Sequence, residues 1–487
     1  MPAVPSPGPL HDGPVRTTAT ERAARVRFRR ALSLMVMTLV VPGSAQLTAG
    51  NRRVGLIAVR IWLGVLAVGL VTLLALLVHP GLAFTMAFSP ALLLLVRLLL
   101  IAAAIGWALL FMDAWRIGQP LSLGLAHRRA VVGVNGILCF SVMGTLLFGA
   151  HLAGVHRDLI FALSGDGTAS GATDGRYNVL LMGGDSGAGR WGLRPDSMTV
   201  ASIDAETGRT VLIGLPRNMA NFPFERGSIM HEQFPEGFDC DGCYLNGVST
   251  WAEDNTELFP GSKHPGADAT VMAVEGITGL EVNYWAMVNL QGFKDLVDAV
   301  GGVTLTVRSP IPVGGLGDDV TGYIDPGTRK LDGFETLWYA RAREGSDDYS
   351  RMARQKCVMA AMLEQISPQS AVRNFESIAS ASADMISTSL PVSEFDTFMS
   401  LALKARSQKV STLSLVPPLV NTADPDIRKV QAKVTEALDR AEGNAPPRSG
   451  SAAPKKPAGE APVTGGSIGS LSEGYAANQA EDLGAAC

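Results

Sequence analysis

The apolar positions of this chain follow two regimes: long unbroken runs up to about residue 153, and short runs separated by turn residues after it. Three runs, Ile57–Val78, Pro90–Met112 and Ala130–Leu152, reach the ~20 residues that a bilayer crossing requires. Three in succession argue for a membrane unit rather than buried core helices. Arg60 lies near one end of its run and can snorkel, whereas Arg97 lies nearer the middle of its own and is expected to face another helix. An earlier stretch, Ala31–Leu47, is short and broken by Pro42-Gly43, and is read as re-entrant or interfacial.

Charge sharpens this division. Residues 1–153 hold 13 Arg and no Lys against three acids, a balance of +10, and the remainder holds 28 basic and 42 acidic residues, a balance of -14. The basic clusters Arg16 to Arg30, Arg52-Arg53 and Arg116 to Arg129 fall on one side of the bilayer if Ala31–Leu47 does not cross, while residues 79–89 carry no acidic or basic charge. Residues 1–30 are then a basic cytoplasmic N-terminus, 31–153 a multi-pass unit of the cell membrane, and everything beyond about 153 extracytoplasmic. A cleaved signal peptide does not fit, because the basic region begins late and further membrane segments follow. The acidic outer part does not suit a nucleic-acid binder, which would present a net basic face.

Residues 154–175, ending in "SGDGTASGATDG", have linker composition, and 443–487 have that of a disordered tail. Between them, 176–442 has the length of one folded domain. Runs at 178–184, 197–204, 210–216, 283–290 and 302–307 read as strands. Runs at 268–277, 291–300, 333–340 and 351–366 read as helices, and the mix points to a helix-covered sheet of α/β or α+β type. Val271, Val274 and Ile277 have the spacing of a core stripe, with the wall of an apolar pocket as the alternative. Cys240 and Cys243 form a C-x-x-C outside the cytosol, read as a local disulfide pinning a loop: no thioredoxin-like pattern surrounds it, and no second ligand pair suggests zinc. Cys357, in a helical pattern, is read as a buried thiol.

Candidate chemistry gathers in two segments. "YARAREGSDDYSRMARQ" (339–355) places four guanidiniums in seventeen residues. If the backbone is extended at Arg341 to Arg343, these two point the same way; if Arg351 starts a helix, Arg354 and Gln355 share its face. Such forks suit a diphosphate, and the alternative is a solvated charged surface. The second segment, 180–219, sets Asp185 after one strand, Arg194 and Asp196 before the next and Arg217 after the third. Two carboxylates at adjacent strand ends could share Mg²⁺, which takes one or two carboxylates plus phosphate oxygens.

These segments, with "GLPRN", "FKDLVDAVGGVTLTV", "LDGFETLWYARAR" and "SDDYSRMARQ" in order, resemble the LytR-CpsA-Psr family of cell-envelope ligases from about Tyr177 to Pro418. The "VVPGSAQL" stretch and the three crossings resemble the membrane unit of its actinobacterial members. The resemblance implies an α/β/α sandwich around a mixed sheet. It also implies a phosphotransferase that moves a glycopolymer from a polyprenyl-diphosphate carrier to a peptidoglycan hydroxyl, with Mg²⁺ or Mn²⁺ as cofactor and the bilayer as partner. By the same resemblance Asp185 and Asp196 are metal-associated, Arg194, Arg217, Arg341, Arg343, Arg351 and Gln355 bind the pyrophosphate, and Asp348 orients the arginines. Arg354 is either a further site residue or a structural partner. Two departures stand out: Asn218 replaces the family's common Asp, and Tyr244 its common Lys. The competing readings are a lipid-pyrophosphate hydrolase and a non-catalytic polyprenyl-phosphate-binding regulator.

Overall fold

The computed structural model describes residues 19–78, 86, 89–162, 164–165, 167–185, 194–315, 319–344, 346, 348–365, 386–406, 408–444 and 478. Two compact units divide at Asp158/Leu159.

In the first unit three helices are long and apolar enough to cross a membrane, Arg52–Val78, Pro90–Ile117 and Leu125–Ala162. They contain the three expected crossings and extend them at polar ends. The Ala19–Val40 helix is followed by a break and a short helix, Ser44–Ala49, and this pair is not among the candidate spans. The break requires its glycine: Gly43 sits at φ 93°, and a Cβ there would stand 2.7 Å from both Ala58 Cβ and the Gly55 carbonyl. Side-chain bonds to backbone tie the pair to the Pro90–Ile117 helix. Gln46 Nε2 donates to the Leu110 carbonyl at 3.0 Å, and Trp107 Nε1 to that of Thr38 at 2.9 Å.

The second unit is built on a six-stranded mixed sheet of order β10-β3-β2-β1-β4-β9. Its strands are β1 (Arg176–Asp185), β2 (Arg194–Asp204), β3 (Thr210–Leu215), β4 (Tyr284–Asn289), β9 (Ile386–Thr388) and β10 (Ser411–Ser414). The β1, β2 and β3 strands form an antiparallel meander, β4 lies parallel to β1, and β10 parallel to β3. The expected fifth run forms β5 (Val303–Val307), which leaves the sheet to pair with β8 (Gly327–Leu331); β6 (Ile311–Gly314) and β7 (Val320–Ile324) make a second ribbon.

Alternation along the strands separates two layers. Leu180, Met198, Val200 and Ile213 face a core closed by the Pro265–Thr278 and Ile427–Glu442 helices. Val274 and Ile277 lie there fully buried, with Val271 packed alongside, so the stripe is core and not pocket wall. On the opposite face Leu181, Ala201 and Leu212 meet Met359 and Ala360 of the Asp348–Gln365 helix. Helices thus cover both faces, as the α/β/α expectation required.

Of the expected linker, residues 154–162 continue the last membrane helix, and 167–175 are held to the domain by hydrogen bonds more than by apolar burial. Ser170 N–H donates to Tyr284 Oη at 2.7 Å, and Asn283 Nδ2 donates to Ser170 Oγ at 3.0 Å. Beyond Asn444 the expected tail lies, apart from Asn478, outside the described residues.

Candidate active site

Strand ends carry the site. Arg194 opens β2 directly opposite Asp185, which closes β1, so the backbone register places these two residues side by side. Asp196 follows two positions along β2, and Arg217 comes just after β3, the neighbour of β2. The loop that starts at the Cys240–Cys243 disulfide fixes the Arg217 backbone. Leu245 N–H donates to the Met219 carbonyl at 2.9 Å and Asn246 N–H to the Arg217 carbonyl at 3.0 Å. Tyr244, where a lysine is common, is exposed, as is Asn218.

Facing these strand ends is the Asp348–Gln365 helix, which begins three residues earlier than expected. Asp348 therefore occupies its first turn, where a carboxylate is favoured by the helix dipole. Its two oxygens gather three arginines. Arg351 donates through Nε at 3.2 Å and Nη2 at 3.0 Å, Arg217 Nε lies 3.3 Å away, and Arg343 Nη1 3.9 Å. Arg351 Nη1 also donates to the Asp196 carbonyl at 2.8 Å, and Arg217 Nη1 to Asp196 Oδ1 at 2.6 Å. Gln355, one turn on, accepts from Ser197 Oγ at 3.2 Å, a partner that nothing local in the sequence indicated.

Electrostatics follow from this crowding. Burial alone would raise the Asp348 carboxyl, but Arg351, Arg217 and Arg343 outweigh it and hold the pKa below the ordinary carboxylate value. Burial lowers Arg343, and the neighbouring Arg217 and Arg351 lower it further despite Asp348 and Asp196. Arg217 is the opposite case: burial disfavours its charge, yet Asp196 and Asp348 leave it raised. Three guanidiniums thus share two carboxylates, and an anion brought between them would relieve their mutual repulsion.

Beside the cluster opens a cavity of about 870 Å³. Arg194, Arg217, Arg341, Arg343, Arg351 and Gln355 stand at its polar part, while Leu181, Ala286, Val288, Phe293, Leu296 and Met362 line the rest. This is the layout of a site for an amphiphile with an anionic head. Buried Arg194 Nε has no hydrogen-bond partner among the described residues.

Several local expectations are corrected or narrowed. Arg341 is not extended: it ends the Gly333–Arg341 helix, whose start is fixed by a capping box of Asp332 and Glu335. It still reaches the cavity, with its guanidinium 5.2 Å from the Trp338 ring centre. Arg354 does not share the site face of Arg351 and Gln355. Only 1% exposed, it donates through Nε to the Tyr339 carbonyl at 2.7 Å and through Nη2 to that of Ala342, closing the C-terminal end of the Gly333–Arg341 helix. Arg354→Met should thus lower stability by about 2–4 kcal/mol by orphaning buried carbonyls, seen as a reduced urea midpoint. The solvated-surface alternative fails, since Arg351 is 4% exposed. Cys357, expected as a thiol, is disulfide-bonded.

The metal expectation can be weighed against the donors present. Asp348 has both oxygens engaged by arginines, which leaves it unsuited to a cation. Asp196 commits Oδ1 to Arg217, whereas its Oδ2 accepts no hydrogen bond among the described residues. Asp196 Oδ2 therefore suits a hard divalent ion that takes most of its ligands from phosphate and water, and the backbone register sets Asp185 at the end of the neighbouring strand. Among the described residues there is no group of three or more His, Cys, Asp or Glu that would hold a metal without such help.

Known proteins can now be set beside this geometry. Residues 156–435 match the LytR_cpsA_psr family. "Biofilm regulatory protein A" of Streptococcus mutans is 28% identical over 286 residues, which cover 57% of this chain and 64% of that protein. "Cell wall biosynthesis protein LcpA" of Corynebacterium glutamicum is 26% identical over 349 residues, covering 64% of this chain and 66% of its own length. Matches to these two relatives therefore span slightly less than two thirds of each. The crystal structure of Bacillus subtilis TagV, 22% identical, aligns over 56% of this chain and 100% of its own with a TM-score of 0.41. By the family match over more than half its length, the chain belongs to the LytR_cpsA_psr family.

Proposed function

We propose that this chain is a phosphotransferase that moves a glycopolymer from a polyprenyl-diphosphate carrier to a hydroxyl of peptidoglycan. The observation that carries the reading is the joining of an arginine cluster to an apolar cavity: Arg217, Arg343 and Arg351 around Asp348 suit a diphosphate, and the adjoining walls suit its lipid chain. Family membership supports it, as does the name of a relative 25% identical over 269 residues, the "Polyisoprenyl-teichoic acid–peptidoglycan teichoic acid transferase TagU" of Oceanobacillus iheyensis.

Phosphoryl transfer asks the protein mainly to position groups and to neutralise charge on the equatorial oxygens. In this reading Arg217, Arg343 and Arg351 grip the diphosphate, with Arg194 and Arg341 at its flanks. Gln355, pinned by Ser197, fixes the polar rim. The acceptor oxygen bonds to the phosphorus that carries the sugar, the diphosphate P–O bond breaks, and polyprenyl phosphate leaves. The hydroxyl proton passes to Asp185 or Asp196. Mg²⁺ or Mn²⁺, held by these two carboxylates, would neutralise further charge on the phosphate oxygens. In this reading the three apolar helices anchor the chain where such a carrier resides, and the basic clusters flanking them assign the second unit to the side away from the cytoplasm.

The cofactor assignment has a direct test in Asp196→Ala. Release of labelled polyprenyl phosphate in the presence of peptidoglycan should fall by about 10²–10³-fold, and added Mg²⁺ should no longer stimulate it. Full activity in this variant would remove the metal-assisted part of the reading.

A further inference from the structure

Arg97 is a cation in a membrane-spanning helix for which the described residues supply no counter-charge. It is the eighth residue of the Pro90–Ile117 helix, and among the described residues it makes no hydrogen bond or ion pair. Between residues 22 and 157 the sequence has a single acid, Asp113, sixteen positions along the same helix and so about 24 Å away. Asp158, the next acid in the chain, lies 3.9 Å from Arg157. An ionised side chain at such a place is costly in hydrocarbon unless something pairs with it.

Its setting is specific. The guanidinium lies on the bare backbone of the last membrane helix at Gly154: a Cβ built there would stand 2.9 Å from Arg97 Nη1 and 3.1 Å from its Cζ. Gly154 therefore makes a notch that seats the planar group. Depth can be estimated from length. The Pro90–Ile117 helix has 28 residues, about 42 Å, against a hydrocarbon thickness of about 30 Å. Arg97 Cα then lies about 4–5 Å inside the hydrocarbon boundary nearest Pro90, and helical side chains lean toward the N-terminus. The guanidinium thus reaches the level at which lipid phosphates sit.

We propose that Arg97, seated in the Gly154 notch, binds the phosphate group of a membrane lipid. A guanidinium fork pairs with phosphate oxygens through two parallel bonds, which a lysine cannot reproduce. The site lies on the membrane face toward which the Leu125–Ala162 helix runs before the chain continues to β1. Two lipids offer this chemistry, an anionic glycerophospholipid and a polyprenyl phosphate. The proposal does not rest on the chemistry assigned to the second unit.

Native mass spectrometry of the full chain in an uncharged detergent tests it, with either phosphatidylglycerol or a polyprenyl monophosphate added. All proteins carry Arg217→Ala, so that binding at the outer cluster is weakened and a change reports on Arg97. Arg97→Gln is expected to weaken retention of at least one lipid tenfold or more, and Arg97→Lys to recover only part of it. The lipid affected identifies the source of the phosphate. Gly154→Ala, whose methyl displaces the flexible guanidinium without removing it, should weaken the same lipid and serves if Arg97→Gln fails to fold. Retention of both lipids within twofold of the parent in Arg97→Gln, or in Gly154→Ala where that variant stands in, would overturn the assignment.

Discussion

Arg217→Ala should lower polymer transfer by about 10²–10³-fold while leaving the fold in place. The size of the effect follows from where Arg217 sits. It bonds Asp196 at 2.6 Å and Asp348 at 3.3 Å, so it is the one described arginine that touches both carboxylates through side-chain contacts. Its guanidinium is pre-set for a diphosphate and needs no reorganisation when charge shifts between the oxygens. The fold survives because the bond that anchors this segment uses the Arg217 carbonyl, which alanine keeps. Asp196, whose side chain is 33% exposed, can take water in place of its lost partner. A fall in kcat with KM little changed would mark an interaction made in the transition state, and a rise in KM alone would assign Arg217 to lipid binding.

Asp348→Ala should be the more damaging change to the protein itself, lowering stability by about 3 kcal/mol and abolishing transfer in the molecules that remain folded. Asp348 is the shared counter-charge of Arg217, Arg343 and Arg351, and its side chain is 16% exposed. Without it Arg351, nearly buried, loses both carboxylate bonds, and three like charges are left to repel. The acid limb carries the sign. Because the folded carboxyl has a depressed pKa, its stabilisation is complete above the ordinary value of about 4 and is lost as pH falls through the folded one. The gap between wild type and variant, measured by urea unfolding, should therefore be wide at pH 7 and 5 and close below about pH 4. A gap that stayed constant into acid would mean that the aspartate acts through its shape and not its charge.

Much of this architecture was legible in the sequence because it is written locally. Three apolar runs needed no partner to be recognised, and β1, β2 and β3 follow one another with short connections. The site arginines were legible through their grouping and motif order, and the structure brings Arg217, Arg343 and Arg351 to one carboxylate. What escaped depends on distant pairing. The two edge strands β9 and β10 have three and four residues, too few to show a period, and exist because β4 and β3 offer them a ladder. Ser197 and Gln355 meet across 158 positions. Arg354 repeats its neighbours' chemistry in sequence, and only the packing of its helix against Tyr339 and Ala342 turns it inward. Arg341 could have been placed better: Asp332 and Glu335 form a capping signal, and nine helical residues from there reach Arg341.

The function itself is tested most directly by one measurement. Purified full-length chain is given labelled polyprenyl-diphosphate-linked polymer and Mg²⁺, with and without peptidoglycan, and both polyprenyl phosphate and wall-bound label are followed. The account requires polyprenyl phosphate to appear in step with polymer joined to peptidoglycan, and only when peptidoglycan is present. Release at the same rate without peptidoglycan would make the chain a hydrolase, and tight lipid binding with no release under either condition would make it a sensor; either result would contradict transfer.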